Sequence, residues 1–439
     1  MSPQAPTEER TETLTVGQPE PSVLVACPDA RPPGYEAVAG LARSGRLARF
    51  ETSTYYGGYG PLTKFVREMA PCQFARFRRL AKRRHHPEIP RDRVSMAPGV
   101  DLCLAAEGRL AGRFPGGRRE VARWRTTRFD LRVSRAIERT KPDVALLFSD
   151  VASVHGWPTC RRLGVRSILS MVHGDVREEQ EILRREAELS PEFFPIYLGD
   201  GKLDLDELAW LHDRRLSDLE GADRIFVPSD HIARTLARHG TPEERIRVIP
   251  YAADLRRFRP DLEKRTGEGC TFLFAGGITQ RKGIGYLLQA WDEIRRPGWK
   301  LQLLGPLPAR TGPLEPYLDR VELLGRLGHS EVAAKMAAAD VFVFPSLFEG
   351  SAVVTYEAMA CGLPSVLTAE AGSVVRDGVE GLVVPPADVD SLAASMHRMG
   401  EDVDARLRMG EAARSRAEQF DWSRYQASIN AEIDGLLAG

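Results

Sequence analysis

The chain has 439 residues, 43% hydrophobic and 28% charged, the composition of an ordinary globular protein of two or three domains. Basic and acidic residues number 61 each, so net charge is zero and bulk attraction to nucleic acid is not indicated. Six scattered cysteines include no Cys-x-x-Cys pair, which argues against a zinc site or a disulfide framework and fits a reducing, cytoplasmic setting; no apolar run is long enough to span a membrane.

Residues 1–20, rich in Glu, Pro and Thr without an apolar core, read as a disordered lead and not a signal peptide. Ser22 to Ala26 is the first strand. Pro32-Pro33-Gly34 reads as a loop before a helix from Tyr35 to Ala42. Gly34 stands at the first strand–helix turn, where glycine either lets a ligand approach the backbone or makes a plain turn. An insertion at about 55–130 begins with a flexible aromatic loop, Tyr55 to Gly60. Within it, Phe74, Phe77, Leu80 and Ala81 fall at helical spacing among Arg78, Arg79, Lys82, Arg83 and Arg84. This basic amphipathic helix, about 74–86, suits either an anionic membrane surface or packing on the N-terminal domain. A second basic stretch, Arg113 to Arg128, is a candidate for the same face.

Pro142 to Phe148 is a strand, and Gly164 to Gly174 another, with His173 at its C-terminal end. Ligands collect at the carboxyl ends of open parallel sheets. His173 therefore reads as facing a ligand, or else as a structural histidine on a backbone carbonyl; His155 is a weaker candidate. Arg177 to Trp210 is charged and helical, without an assigned place. A strand at Ala222 to Ser229, a helix from Asp230 and the segment Arg245 to Asp254 complete a first domain over about 21–258, with a linker from Pro260 to Gly269.

The second domain, about 268–418, opens with Cys270 to Gly277, a strand ending in glycines. Arg281-Lys282-Gly283 and a helix through Ile294 follow. Gly277 lets main chain approach a phosphate, and Arg281 and Lys282 supply the opposite charge. Strands at Trp299 to Gly305 and Val321 to Leu327 precede a helix at Val332 to Ala339. Ser365 to Thr368 is a strand, helices start at Asp388 and Asp402, and a terminal helix fills about 419–439.

The stretch Val341 to Pro364 organises this order. A buried strand, Val341 to Phe344, leads through a loop into a helix that starts just after Gly350 and ends at Gly362. Glu349 then sits at the helix mouth and Glu357 about two turns in, roughly 12 Å away. Between them, the first-turn amides at Ser351, Ala352 and Val353 suit a phosphate. A hydroxylated group at each end with a diphosphate between is the outline of a nucleotide sugar.

Glu349-Gly350 and Glu357, with Ala358-Met359-Ala360-Cys361-Gly362-Leu363-Pro364 behind them, resemble the signature of the family 4, or group 1, retaining glycosyltransferases. Asp377 to Pro385 matches a second run of that family. Ile246 to Asp254 matches a third, with Ala252 where the family usually has Gly. Gly277 replaces a common Arg, while Lys282 is kept with Arg281 beside it. The resemblance is strong over about 220–425, diffuse over about 22–175 and absent from the basic insertion.

The resemblance implies an α/β protein of two Rossmann-like, doubly wound parallel-sheet domains facing a cleft, the type B glycosyltransferase architecture. It places the nucleotide sugar on the second domain and a glycan, lipid-linked or small-molecule acceptor on the first, with the terminal helix crossing back to the first domain. It implies that Glu349 bonds donor-sugar hydroxyls and Glu357 the ribose, that His173 looks toward the donor sugar, and that Gly34 faces donor and acceptor. Arg326 and Leu327, in the turn after the third strand of the second domain, meet the nucleobase. The helix N-terminus after Gly350, with Arg281 and Lys282, stabilises the leaving diphosphate in place of a metal. Transfer with retention is implied; no metal or other cofactor is expected. A non-catalytic accessory protein and a sugar-nucleotide epimerase stay open as alternatives. A phosphorylase does not, because no lysine follows Lys335 to hold pyridoxal phosphate.

Overall fold

The computed structural model describes residues 20–29, 31–56, 84–100, 117–199, 205–261 and 269–438. The expected lead and most of the basic segment 74–86 lie outside the described residues.

Short apolar runs dominate the strands, and runs such as Val23–Ala26 and Val341–Phe344 are buried along their whole length, as parallel strands covered on both faces must be. The first sheet contains β1 (Val23–Ala26), β2 (Leu47–Thr52), β3 (Val94–Met96), β4 (Val144–Phe148), β5 (Arg166–Ser170), β6 (Arg224–Val227) and β7 (Ile246–Val248) in the order β3-β2-β1-β4-β5-β6-β7. The second contains β8 (Cys270–Ala275), β9 (Trp299–Leu304), β10 (Glu322–Gly325), β11 (Val341–Phe344), β12 (Ser365–Thr368) and β13 (Gly381–Val384) in the order β10-β9-β8-β11-β12-β13. Every described strand pairing is parallel. Both orders reverse beside the first strand of their sheet, so each has a switch point there: β1/β4 and β8/β11.

The helices that position the site are α1 (Pro32–Arg43), α2 (Gly117–Thr140), α3 (Val176–Leu189), α4 (Leu205–Gly221), α5 (Asp230–Arg238), α6 (Ile284–Ile294), α7 (Val353–Ala360), α8 (Val389–Glu401), α9 (Val403–Ala417) and α10 (Trp422–Ala438). Asp388 and Asp402 cap α8 and α9 through their side chains, at the two starts read from the sequence. Helix α10 lies on α1: Tyr425 donates to Pro33 O at 3.3 Å and Gln426 to Glu36 at 2.7 Å.

One expectation is corrected, and elements left unread in the sequence are added. Pro32, Pro33 and Gly34 are the first turn of α1, not a loop; proline suits that turn because its fixed φ is helical and its missing N–H has no acceptor there. Strands β2 and β3 were not read from the sequence. In β2, Arg49 and Glu51 break the apolar pattern, yet Glu51 is fully buried between Arg49 and Arg132, 2.8 Å from each. The charged stretch after residue 176 becomes α3, a turn at Phe194–Ile196 and α4.

The second basic stretch is also not a free cationic face where it is described. Arg119 is bound to Asp206 at 2.7 Å, and Arg123 to Asp206 O at 3.2 Å. Arg84, at the end of the first basic segment, turns inward to Ser53 Oγ at 2.6 Å.

Candidate active site

The loops after β8 and β11, at the switch point of the second sheet, meet the loop after β5 of the first. A Cβ on Gly350 would lie 2.9 Å from Val172 O, and one on Gly174 would lie 2.4 Å from the Phe348 ring. Ser229, the side-chain cap of α5, donates to Gly350 O at 2.8 Å. At Gly350 glycine is required because its backbone meets that of Val172 and His173.

Helix α7 begins at Val353, not just after Gly350. Residues 350–352 are pinned outside the helix: Ser351 Oγ donates to Gly372 O at 2.7 Å, and the Ala352 amide to Ala371 O at 3.0 Å. The Ala352 amide is therefore occupied and is corrected as a phosphate donor. The first-turn amides of Val353 and Val354 have no intrahelical acceptor. Glu357 is the fifth residue of α7, about 6 Å along the axis rather than two turns in.

Glu349, 14% exposed at the mouth of this helix, accepts from Lys282 Nζ at 2.5 Å and lies 3.2 Å from Arg281 Nη1. Arg281 also donates to Phe348 O at 2.7 Å, and the Lys282 ammonium sits 4.8 Å from the centre of the Phe344 ring. Burial pushes the Glu349 carboxyl up, but Lys282 and then Arg281 outweigh it and hold the group below the ordinary carboxylate value. For Lys282 burial wins, and its pKa is lowered despite Glu349.

His173 lies three residues beyond the end of β5. Its Nδ1 is 2.8 Å from Gly174 O, while its Nε2 is buried without a hydrogen-bond partner. Burial, then Arg215, lowers its pKa to about 4, with Asp150 opposing. The imidazole is neutral, with its proton on Nδ1 toward the carbonyl and Nε2 left as an acceptor.

Three charged residues around it were not picked out from the sequence. Asp150, at the end of β4, has a φ of 70°, a conformation costly for a non-glycine residue. Its carboxylate is 3.1 Å from Arg215, which also faces Glu179 at 3.7 Å. Asp150 was within reach of the strand-end argument applied to His173. Arg215 and Glu179 were not, because their helices had no assigned place. His155 instead precedes a helix and its amide is bound by Asp130 at 3.1 Å.

Glu357 stands on α7 near Arg257 and Asp254. Burial raises its pKa to about 7, with Arg257 opposing. Arg326 lines a pocket of about 340 Å³ together with Ile278, Gly305, Leu307, Leu323 and Gly325. Leu327 turns away from it and packs against the core. At the end of β8 the unusual backbone is at Gly276, with φ 154°, while a Cβ on Gly277 would meet nothing nearer than 3.8 Å. Gly34 is explained by packing: a Cβ there would lie 2.7 Å from Cys27 Sγ. Among the described residues no three His, Cys, Asp or Glu side chains group as metal ligands would.

Comparison with known proteins bears on this arrangement. The model for Glycosyltransferase Family 4 matches residues 77–257, and that for Glycosyl transferases group 1 matches residues 269–402. Between them they cover strands of both sheets. The chain belongs to glycosyltransferase family 4, group 1.

Relatives in this family include a D-inositol 3-phosphate glycosyltransferase of Streptomyces bingchenggensis, 32% identical over 235 residues, covering 47% of this chain and 51% of the relative. An MMP alpha-(1->4)-mannosyltransferase of Mycolicibacterium hassiacum is 32% identical over 228 residues, covering 49% of this chain and 54% of the relative. The chain spans about half the length of the curated relatives it matches. Among solved structures, the sucrose-phosphate synthase of Thermosynechococcus elongatus superposes with a TM-score of 0.64 at 20% identity, over 95% of this chain and 100% of that one. Anabaena Alr3699/HepE in complex with UDP-glucose gives 0.59 at 16% identity, over 95% and 100%. At these identities the likeness is one of fold, and that fold is the type B glycosyltransferase architecture expected from the sequence.

Proposed function

We propose that this chain is a retaining glycosyltransferase that moves a sugar from a nucleotide-diphosphate donor to a hydroxylated acceptor without a metal ion. The observation that carries the reading is the meeting of Arg281, Lys282 and Glu349 at the open end of α7. Phosphate is gripped by Arg281, Lys282 and the amides of Val353 and Val354. As the anomeric C–O bond breaks, negative charge grows on the departing diphosphate, and these fixed donors stabilise it where it forms. Glu349, released from Lys282, accepts hydroxyls of the donor sugar, and Glu357 accepts those of the ribose. His173 Nε2 accepts from a sugar hydroxyl. The pocket beside Arg326 takes the base between apolar walls.

The acceptor enters from the first sheet, beside Gly34 and the loop after β4. The relatives named for inositol phosphate and for a mannosyl linkage support a polyhydroxylated acceptor, whether glycan, lipid-linked or small molecule. The basic segment 74–86 supports peripheral contact with an anionic membrane.

A thermal-shift panel of UDP, GDP, ADP and their common sugars, without added metal, tests the donor reading. One nucleotide should stabilise the wild type, and Glu357→Ala should lose that shift. No shift with any nucleotide would turn the reading toward an accessory protein. Conversion of the sugar nucleotide with no acceptor present would turn it toward an epimerase.

A further inference from the structure

Between β5 and β6 the chain leaves the first sheet, runs through α3 and the turn at Phe194–Ile196, and comes back. The start of α3 is fixed to the first half of the molecule. Arg177 donates to His239 O at 2.9 Å, Glu178 accepts from Arg238 at 2.9 Å, and Glu179 faces Arg215. Its far end is fixed to the second half. Glu186, 1% exposed, accepts from Gln280 Nε2 at 2.7 Å and from the Tyr286 hydroxyl at 2.7 Å. Phe193 covers Gly285 so closely that a Cβ there would lie 2.8 Å from its ring. Tyr197 O accepts from the Arg281 amide at 3.3 Å, and Gly199 O from the Ala309 amide at 2.9 Å.

Gln280 is the first residue of the turn Gln280–Lys282, which carries both cations. It is fully buried, and its Oε1 accepts from the Gly285 amide at 3.0 Å. Its side chain thus braces the turn from inside, with the amide group oriented by what binds each end. A buried amide that loses its Nε2 acceptor has no reason to keep that orientation. The acceptor is a carboxylate, the stronger kind of partner. Tyr197, on the same stretch, adds a buried hydroxyl without a hydrogen-bond partner in the field of Glu179 and Arg281.

We propose that Glu186 is a positioning residue for the donor diphosphate: from the first half of the chain it holds Gln280, and through it sets the Arg281–Lys282 turn in the shape that grips phosphate. This rests on the nucleotide-sugar reading above. Helix α3 is a rod about 21 Å long, anchored to one half at its start and to the other at its end. The grip on phosphate is therefore tied to the relative setting of the two halves. Glu186 touches no substrate; it acts through Gln280.

The test compares a nucleoside diphosphate with the monophosphate of the same base, by calorimetric titration of the full chain. Wild type, Glu186→Gln, Gln280→Ala and Tyr286→Phe are compared, using whichever of UDP/UMP, GDP/GMP or ADP/AMP the wild type binds. Glu186→Gln keeps the shape and removes the charge. It and Gln280→Ala should each lose about tenfold in diphosphate affinity, with the monophosphate changed less than about twofold. Tyr286→Phe, which leaves Gln280 bound, should change neither. An unchanged ratio of the two affinities in both variants overturns the proposal, as does a parallel fall of both, which marks general loss of structure. If the wild type itself fails to prefer diphosphate over monophosphate, the donor reading fails and this proposal falls with it.

Discussion

Lys282 Nζ lies 2.5 Å from Glu349 Oε1, although the two residues come from different loops, one after β8 and one after β11. The cation assigned to phosphate and the carboxylate assigned to the sugar thus neutralise each other. On the proposed function, a donor parts them, offering phosphate to one and hydroxyls to the other. Each then exchanges one partner for another and neither is left bare.

This pairing sets the first prediction. Glu349→Ala strands a largely covered ammonium, 16% exposed, and should cost about 3 kcal/mol. Lys282→Met should cost less, since Arg281 still faces Glu349 at 3.2 Å. A double-mutant cycle by urea unfolding checks the coupling; simple additivity would remove the pair from the account. Because the folded pKa of Glu349 is lowered, its contribution is present above the ordinary carboxylate value of 4.5 and is lost as pH falls through the folded value.

Glu357 has the opposite sign. Its folded pKa of about 7 exceeds the ordinary 4.5, so the folded state keeps a proton that the unfolded chain releases. Its contribution is fully present below 4.5 and falls as pH rises toward 7, by at most about 1.4 kcal/mol per pH unit. Glu357→Gln should flatten that part of the unfolding profile. Nucleotide affinity should move the other way, rising with pH through 7 in the wild type, because ribose hydroxyls bond the ionised carboxylate. A variant profile parallel to the wild type would clear Glu357 of both effects.

His173 separates function from support. Its one hydrogen bond in the structure goes to Gly174 O, so His173→Ala should lower stability by only about 1 kcal/mol. Sugar transfer should fall about tenfold to a hundredfold. Loss of stability of several times that size, with transfer intact, would make the residue structural.

Gly350→Ala probes the junction between the halves. The added Cβ would lie 2.9 Å from Val172 O, a backbone atom that cannot swing aside. The expected cost is about 1–3 kcal/mol, together with weaker donor binding. Thermal unfolding and nucleotide titration of the same preparation would reveal either effect without the other, which would contradict a shared origin.

The basic segment makes its own prediction. Arg78, Arg79, Lys82 and Arg83 lie outside the described residues, whereas Arg84 is engaged with Ser53 at 2.6 Å. Neutralising those four cations should reduce co-sedimentation with anionic vesicles, and Arg84 should matter less. Equal binding by wild type and variant would withdraw the membrane contact.

What the sequence determined by itself is local. Continuous apolar runs place most strands of the two sheets, because parallel strands are covered on both faces. Asp388 and Asp402 mark helix starts because a side-chain carboxylate satisfies the first amides. Glu349, Gly350 and Glu357 carry the family. Strand β2 escaped because Glu51, polar by type, is buried between two arginines that the sequence does not bring together. Only the tertiary structure decided that Glu349 is held by Lys282, 67 positions away, and that Glu186 reaches Gln280 across 94. Such pairings depend on strand order and on the path of a charged helix from one sheet to the other. Periodicity along the chain records which face of an element is buried, and not which distant element will cover it.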